Sequence, residues 1–162
     1  MAIKTEKLAD MKLDTIDKSI LRNLQEDAHL TTKELSNRLN LSPTPVYERV
    51  RRLEKEGVIK GYVALVDREK IEKDLMVFCN IRLKEHAQEA GAKFVRDIVK
   101  LEEVMECYNI SGEYDFMLKI VVKDMREYQS FLMNKLASLE NIGSTHSTFV
   151  MSEIKSKTAL EI

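Results

Sequence analysis

The chain is poor in the residues that staple or metallate proteins: two cysteines and three histidines in 162 residues, with only two prolines. Cys79 and Cys107 lie far apart and offer neither a metal spacing nor a disulfide framework. His29, His86 and His146 are scattered, so no imidazole or thiolate cluster points to zinc. No apolar run reaches the roughly 18 residues of a membrane span. The opening MAIKTEKLADMKLD is polar and lacks the apolar core of a secretory signal. A Ser/His/Asp set, paired histidines and a glycine-rich phosphate loop are all missing from the sequence. The expectation is a cytoplasmic protein with no metal, no cofactor, no membrane contact and no catalytic activity.

What is present suits a packed globular chain of one domain or two small ones: 44% hydrophobic and 33% charged residues. The net charge of −1 does not announce a polyanion partner. Its distribution is more telling. Residues 1–66 hold 12 Lys and Arg against 10 Asp and Glu, whereas residues 67–162 hold 14 against 17. Any polyanion is therefore expected on the first part.

Both prolines fall in one stretch, LSPTPVYERVRRLEKEGVIKGY, running from Leu41 to Tyr62. Before it, LDTIDKSILRNLQED sets Leu13, Ile16, Ile20, Leu21 and Leu24 at helical spacing, with Asp14 as N-cap. TTKELSNRLNL predicts a second, short helix. Thr31 and Glu34 form its capping box, and Leu35 and Leu39 form its buried stripe. Ser42 is then the N-cap of a third helix and Pro43 its first position, where a missing N–H costs nothing. Pro45 still lies in the first turn. Val46, Val50 and Leu53 recur on one face; Thr44, Tyr47, Glu48, Arg51 and Lys55 lie on the other. A buried stripe backed by these side chains, with Arg49 and Arg52 beside them, suits a helix reading the major groove of double-stranded DNA. Gly57 stops the helix. VIK-GY-VAL then predicts a two-stranded wing. The same ERVRRLEKE stretch also fits an ordinary solvated helix with charge pairs at i, i+4. The short capped helix, the tight NLSP turn and the wing favour DNA binding by a winged helix-turn-helix.

From Leu75 the period changes to two. LMVFCNIRL puts Leu75, Val77, Cys79, Ile81 and Leu83 on one face and Met76, Phe78, Asn80 and Arg82 on the other. A helix with Ala90, Phe94, Ile98 and Leu101 inward follows. EVMECYNI is a strand, SGEYD a turn, and YDFMLKIVV a strand alternating through Tyr114, Phe116, Leu118, Ile120 and Val122. A second helix is expected from Met125 to Leu139, with Tyr128, Leu132 and Leu136 inward, and STHSTFVMSEI is the last strand. The order β-α-β-β-α-β is the ferredoxin-like plan. Both helices cover one face, leaving Met76 and Phe78 on a face that this chain does not cover. A homodimer is the expected solution, and it would present two reading helices to a two-fold DNA site.

LDTIDKSIL, LSPTPVYERVRRLEKEGVIKGY, LEEVMECYNISGEYDFMLK and VKDM together resemble the Lrp/AsnC family of regulators, over residues 13 to 155. The resemblance implies an α+β protein with an N-terminal winged helix-turn-helix in residues 1–60. A wing strand and linker would occupy 61–74, and a C-terminal ferredoxin-like βαββαβ (RAM) domain 75–162. It implies dimers that assemble into higher multiples, and transcription regulation responding to an amino acid effector, leucine or another apolar one. Ser42, Pro43, Thr44, Tyr47, Glu48, Arg49, Arg51 and Arg52 would serve DNA. Gly112, Tyr114 and Asp115 of SGEYD, with Met125, Thr148 and Val150, would serve the effector. Asp115 would meet the ligand's ammonium or brace the loop that does. From spacing alone Gly112 is a turn glycine, and Thr148 and Met125 fit strand surface and helix start equally well. An architectural DNA-bending protein without effector is the alternative function; only ligand binding separates the two.

Overall fold

The computed structural model describes residues 12–85 and 87–162; His86 and most of the polar N-terminal stretch lie outside them. The chain forms two compact units. One spans Val66–Glu153, and the other holds the described residues up to Leu65 together with Ile154–Ile162.

The helical unit contains α1 (Thr15–Glu26), α2 (Thr32–Leu39) and α3 (Pro43–Lys55). Each begins where the sequence places a cap. Asp14 accepts from the Asp17 amide, and the Asp17 carboxylate accepts from the Asp14 amide, a reciprocal capping box. Thr31 and Glu34 repeat the arrangement at α2. Ser42 caps α3 by position only, with no side-chain hydrogen bond. Pro45 is the reason on one side: it occupies the third helical position and has no N–H to donate. Asn40 closes α2 in the left-handed region at φ 52°, which its short polar side chain tolerates. Ile20, Leu21, Leu35, Val46 and Leu53 form the buried centre, with Leu13, Ile16, Leu24, Leu39 and Val50 packed around it.

The end of α3 is a Schellman motif around Gly57, at φ 72°. The Val58 N–H donates to the Leu53 carbonyl at 2.9 Å, and the Gly57 N–H donates to the Glu54 carbonyl at 3.0 Å. The strand pair expected in VIK-GY-VAL does not form: residues 58–66 carry no strand. Val63 and Leu65 are largely exposed. A two-stranded ribbon with no covered apolar face gains too little to hold a ladder. The segment expected to form the wing is therefore unpaired.

The second unit is a four-stranded antiparallel sheet, in the order β2-β3-β1-β4. Its strands are β1 (Leu75–Leu83), β2 (Val104–Asn109), β3 (Phe116–Val122) and β4 (Ile142–Phe149). The ferredoxin-like order follows from the period-two segments alternating with helical ones. The last strand starts two residues before its expected place and ends at Phe149, not Ile154. Val77, Cys79, Ile81, Leu83, Phe116, Leu118, Ile120 and Val122 point to the helix side and bury with Phe94 and Ile98 of α4 (Gln88–Ile98). On the other side Met76 is only 6% exposed and its cross-strand neighbour Val121 8%, so Met76 is covered within one chain, contrary to expectation. Phe78 stays half-buried.

The final helix departs most from its expected form. It is α-helical only over α5 (Met125–Ser130) and continues as a π turn over Phe131–Leu136. The Ala137 N–H reaches back five residues to the Leu132 carbonyl at 2.9 Å. Widening the turn shifts the phase. Tyr128, Phe131 and Leu136 are buried, while Leu132, expected inward, is only partly so.

Candidate functional site

The α3 helix presents two sets of arginines. Ser42, Pro43, Thr44, Tyr47, Glu48 and Arg51 all lie exposed, opposite the buried Val46 and Leu53. The Arg51 side chain is 65% exposed and pairs with Glu54 one turn on, at 2.9 Å. Arg49 and Arg52 turn the other way, toward α1. Arg49 Nη1 donates to Asp14 Oδ2 at 2.7 Å and to Asp17 Oδ1 at 2.8 Å, and Arg52 Nη2 donates to Asp17 Oδ2 at 2.6 Å. Asp17 is 1% exposed. It also accepts from the Asp14 amide, which closes the capping box. Asp14 itself is held below the usual carboxylate range, first by the Asp17 amide and then by Arg49. The same acids hold Arg49 above its ordinary value. Spacing along the chain marks Asp14 as a cap but does not mark Asp17 as an anchor for Arg49 and Arg52. The hint is the residue type: Asp-x-x-Asp puts Asp in the place where a capping box more often has Glu or Gln.

The expected effector residues separate into two groups within one chain. At one end of the sheet, Gly112 takes φ 119° in the turn between β2 and β3, a conformation that favours glycine. Asp115 accepts from the Leu83 N–H through Oδ2 at 2.8 Å, and its own N–H donates to the Ile81 carbonyl at 2.8 Å. Arg82 donates twice to the Glu113 carbonyl, at 2.9 and 2.8 Å, and lies 5.9 Å from the Tyr114 ring centre. Tyr114 in turn stacks near His146, centroids 6.2 Å apart. At the other end, the Val150 N–H donates to the Met76 carbonyl, Thr148 pairs with Phe78, and Met125 starts α5 just past β3. Met76 and Ile81 are five residues apart on β1, about 17 Å at ~3.4 Å per residue. One chain therefore does not bring Met125, Thr148 and Val150 to Gly112, Tyr114 and Asp115.

Among the described residues no group of His, Cys, Asp and Glu is placed to hold a metal ion, and no helix is long and apolar enough to cross a membrane.

Residues 13–60 match the winged helix-turn-helix DNA-binding family, and residues 76–160 match the Lrp/AsnC ligand binding domain. The chain belongs to the Lrp/AsnC family. It is 40% identical over 160 residues to the leucine-responsive regulatory protein of Escherichia coli K12, covering 99% of this chain and 98% of that protein. The protein of the same name from Serratia marcescens is 42% identical over 150 residues, covering 93% and 92%. Among solved structures, a transcriptional regulator from Neisseria meningitidis in complex with L-Met superposes with a TM-score of 0.87 at 35% identity, covering 93% of this chain and 97% of that one. AsnC of E. coli gives 0.85 at 26% identity, covering 92% and 99%. As an Lrp/AsnC member the protein is a DNA-binding transcriptional regulator: its helical unit carries the helix-turn-helix and its sheet unit the ligand-binding domain.

Proposed function

We propose that this regulator reads specific DNA sequence through the outer face of α3 and that its assembly or DNA geometry responds to a small amino acid. The observation that carries the first part is the exposed row Thr44, Tyr47, Glu48 and Arg51 behind the buried Val46 and Leu53. Ser42 and Pro43 start that row, where the chain approaches a phosphate backbone most closely. Such a protein works where the DNA is, in the cytoplasm.

The effector reading is supported by the ligand-binding domain and by a structural neighbour solved with L-Met. A zwitterionic amino acid needs a partner for its ammonium, N–H donors for its carboxylate and an apolar wall. Asp115, the backbone around Gly112 and the Tyr114 ring offer these at one sheet end. Met125, Thr148 and Val150 contribute only if another copy brings its opposite sheet end alongside. Self-association is therefore part of the proposal: a homodimer covering Phe78 on the second sheet face, assembling further into multiples of dimers. Leucine or another apolar amino acid is the expected effector.

A thermal-shift panel of the twenty amino acids tests this, because a ligand that binds only the native state raises the melting temperature. Sedimentation at micromolar protein should give a dimer or a multiple of it. No stabilising amino acid would leave an architectural DNA-bending protein, and a clean monomer would remove the shared site.

A further inference from the structure

We propose that Asp17, with Asp14, stands in for DNA phosphate and withholds Arg49 and Arg52 from the polyanion, so that Arg51 is the α3 arginine that meets DNA. This rests on the reading that the outer face of α3 docks on DNA.

Three consecutive features of the geometry lead there. The Asp17 carboxylate is 1% exposed and accepts from Arg49, Arg52 and the Asp14 amide, using both oxygens. Arg49 is shared with Asp14 as well, and its side chain is only 27% exposed. Arg51, one position before Arg52, is 65% exposed, and among the described residues its ion pair is with Glu54 across the solvated helix surface. A phosphate could draw Arg49 or Arg52 away only by leaving a buried carboxylate with less cation around it. Water cannot reach a group so enclosed to make good the loss. Breaking one side of a buried pair is strongly unfavourable, whereas an exposed cation–phosphate contact in high dielectric gains little. The acids therefore win the competition for Arg49 and Arg52. Three neighbouring arginines become one cation for DNA and two struts between α1 and α3. The consequence is a weaker sequence-independent attraction than the basic run suggests, and a larger share of affinity left to contacts with base edges.

The test is a salt titration on a mixed-sequence DNA duplex, since the slope of log K against log[salt] counts the phosphates neutralised. Arg51→Gln should make the slope shallower by about 0.9 for each α3 docked. Arg49→Gln and Arg52→Gln should leave it unchanged, although Arg49→Gln lowers the melting temperature. Asp17→Asn, which keeps an oxygen for the Asp14 amide, should steepen the slope and tighten binding to the mixed duplex. That steepening should vanish in Asp17→Asn/Arg49→Gln/Arg52→Gln, which separates released arginines from the simple loss of a negative charge. Circular dichroism establishes which variants are folded. Arg52 is nearly half exposed, so Arg52→Gln carries the test even if Arg49→Gln or Asp17→Asn does not fold. A shallower slope in folded Arg49→Gln or Arg52→Gln overturns the proposal and leaves the docking of α3 intact. An unchanged slope in Arg51→Gln overturns the docking face itself, and the proposal with it.

Discussion

The carboxylate of Asp115 accepts the backbone N–H of Leu83 at 2.8 Å and so ties the turn before β3 to the end of β1. Removing it strands a part-buried amide. Asp115→Ala should cost about 1–3 kcal/mol in urea unfolding. Asp115→Asn keeps an acceptor and should cost much less. If the charge also meets a ligand ammonium, calorimetry should show Asp115→Asn binding the best amino acid of the panel about tenfold or more weakly, at near-normal stability. Normal binding by Asp115→Asn would make this residue a brace alone.

Tyr128 ties α5 to the sheet. Its hydroxyl lies 2.6 Å from Ser147 Oγ, and the side chain is 1% exposed. Burial, foremost, pushes its pKa up to about 12. An unfolded tyrosine ionises near 10. Between those values the unfolded chain releases a proton that the folded one retains, so stability is full below pH 10 and falls as pH rises toward 12. Tyr128→Phe should lose about 1 kcal/mol at neutral pH and show a flatter alkaline limb. An unchanged limb would mean that the hydroxyl ionises freely in the fold.

Gly57 holds φ 72° with nothing within 4 Å of the place a Cβ would take. Gly57→Ala therefore meets no clash and only the left-handed backbone penalty, about 1–2 kcal/mol. Thermal unfolding should show that loss with the α-helical circular dichroism retained. A loss of helix signal at low temperature would show that the Schellman closure is needed for α3 to form.

Acid should weaken the helical unit through its caps. Asp14 is held below its ordinary pKa by the Asp17 amide, and Glu34 by the Thr31 hydroxyl. Their contribution is present above the unfolded carboxylate values near 4 and is lost as pH falls through the lower folded values. Unfolding followed from pH 6 to pH 2 should show stability declining below about pH 4. Asp14→Asn, with an equally good cap and no charge to titrate, should reduce the slope there.

What could be read along the chain was local. Asp14, Thr31 and Gly57 mark helix ends because their partners lie within a few residues, and the period-two runs mark strands because alternation is a property of the backbone itself. Those two signals carried the helix order and the strand order, while the family resemblance rested on whole segments such as LSPTPVYERVRRLEKEGVIKGY and SGEYD. Tertiary structure decided what neighbours across the chain would do. Arg49, Arg51 and Arg52 read alike in sequence, but the buried carboxylate of Asp17, 32 and 35 residues away, takes two of them and leaves the third. The same holds at the sheet. Pairing along β1 puts Asp115 and Val150 at opposite ends, so residues grouped by resemblance are apart in one chain. The π turn at Phe131–Leu136 and the unpaired wing follow the same logic: packing set the phase of one, and the lack of packing undid the other. Local hydrogen bonds are fixed by spacing, whereas an ion pair or a sheet register exists only once the core has brought its partners together.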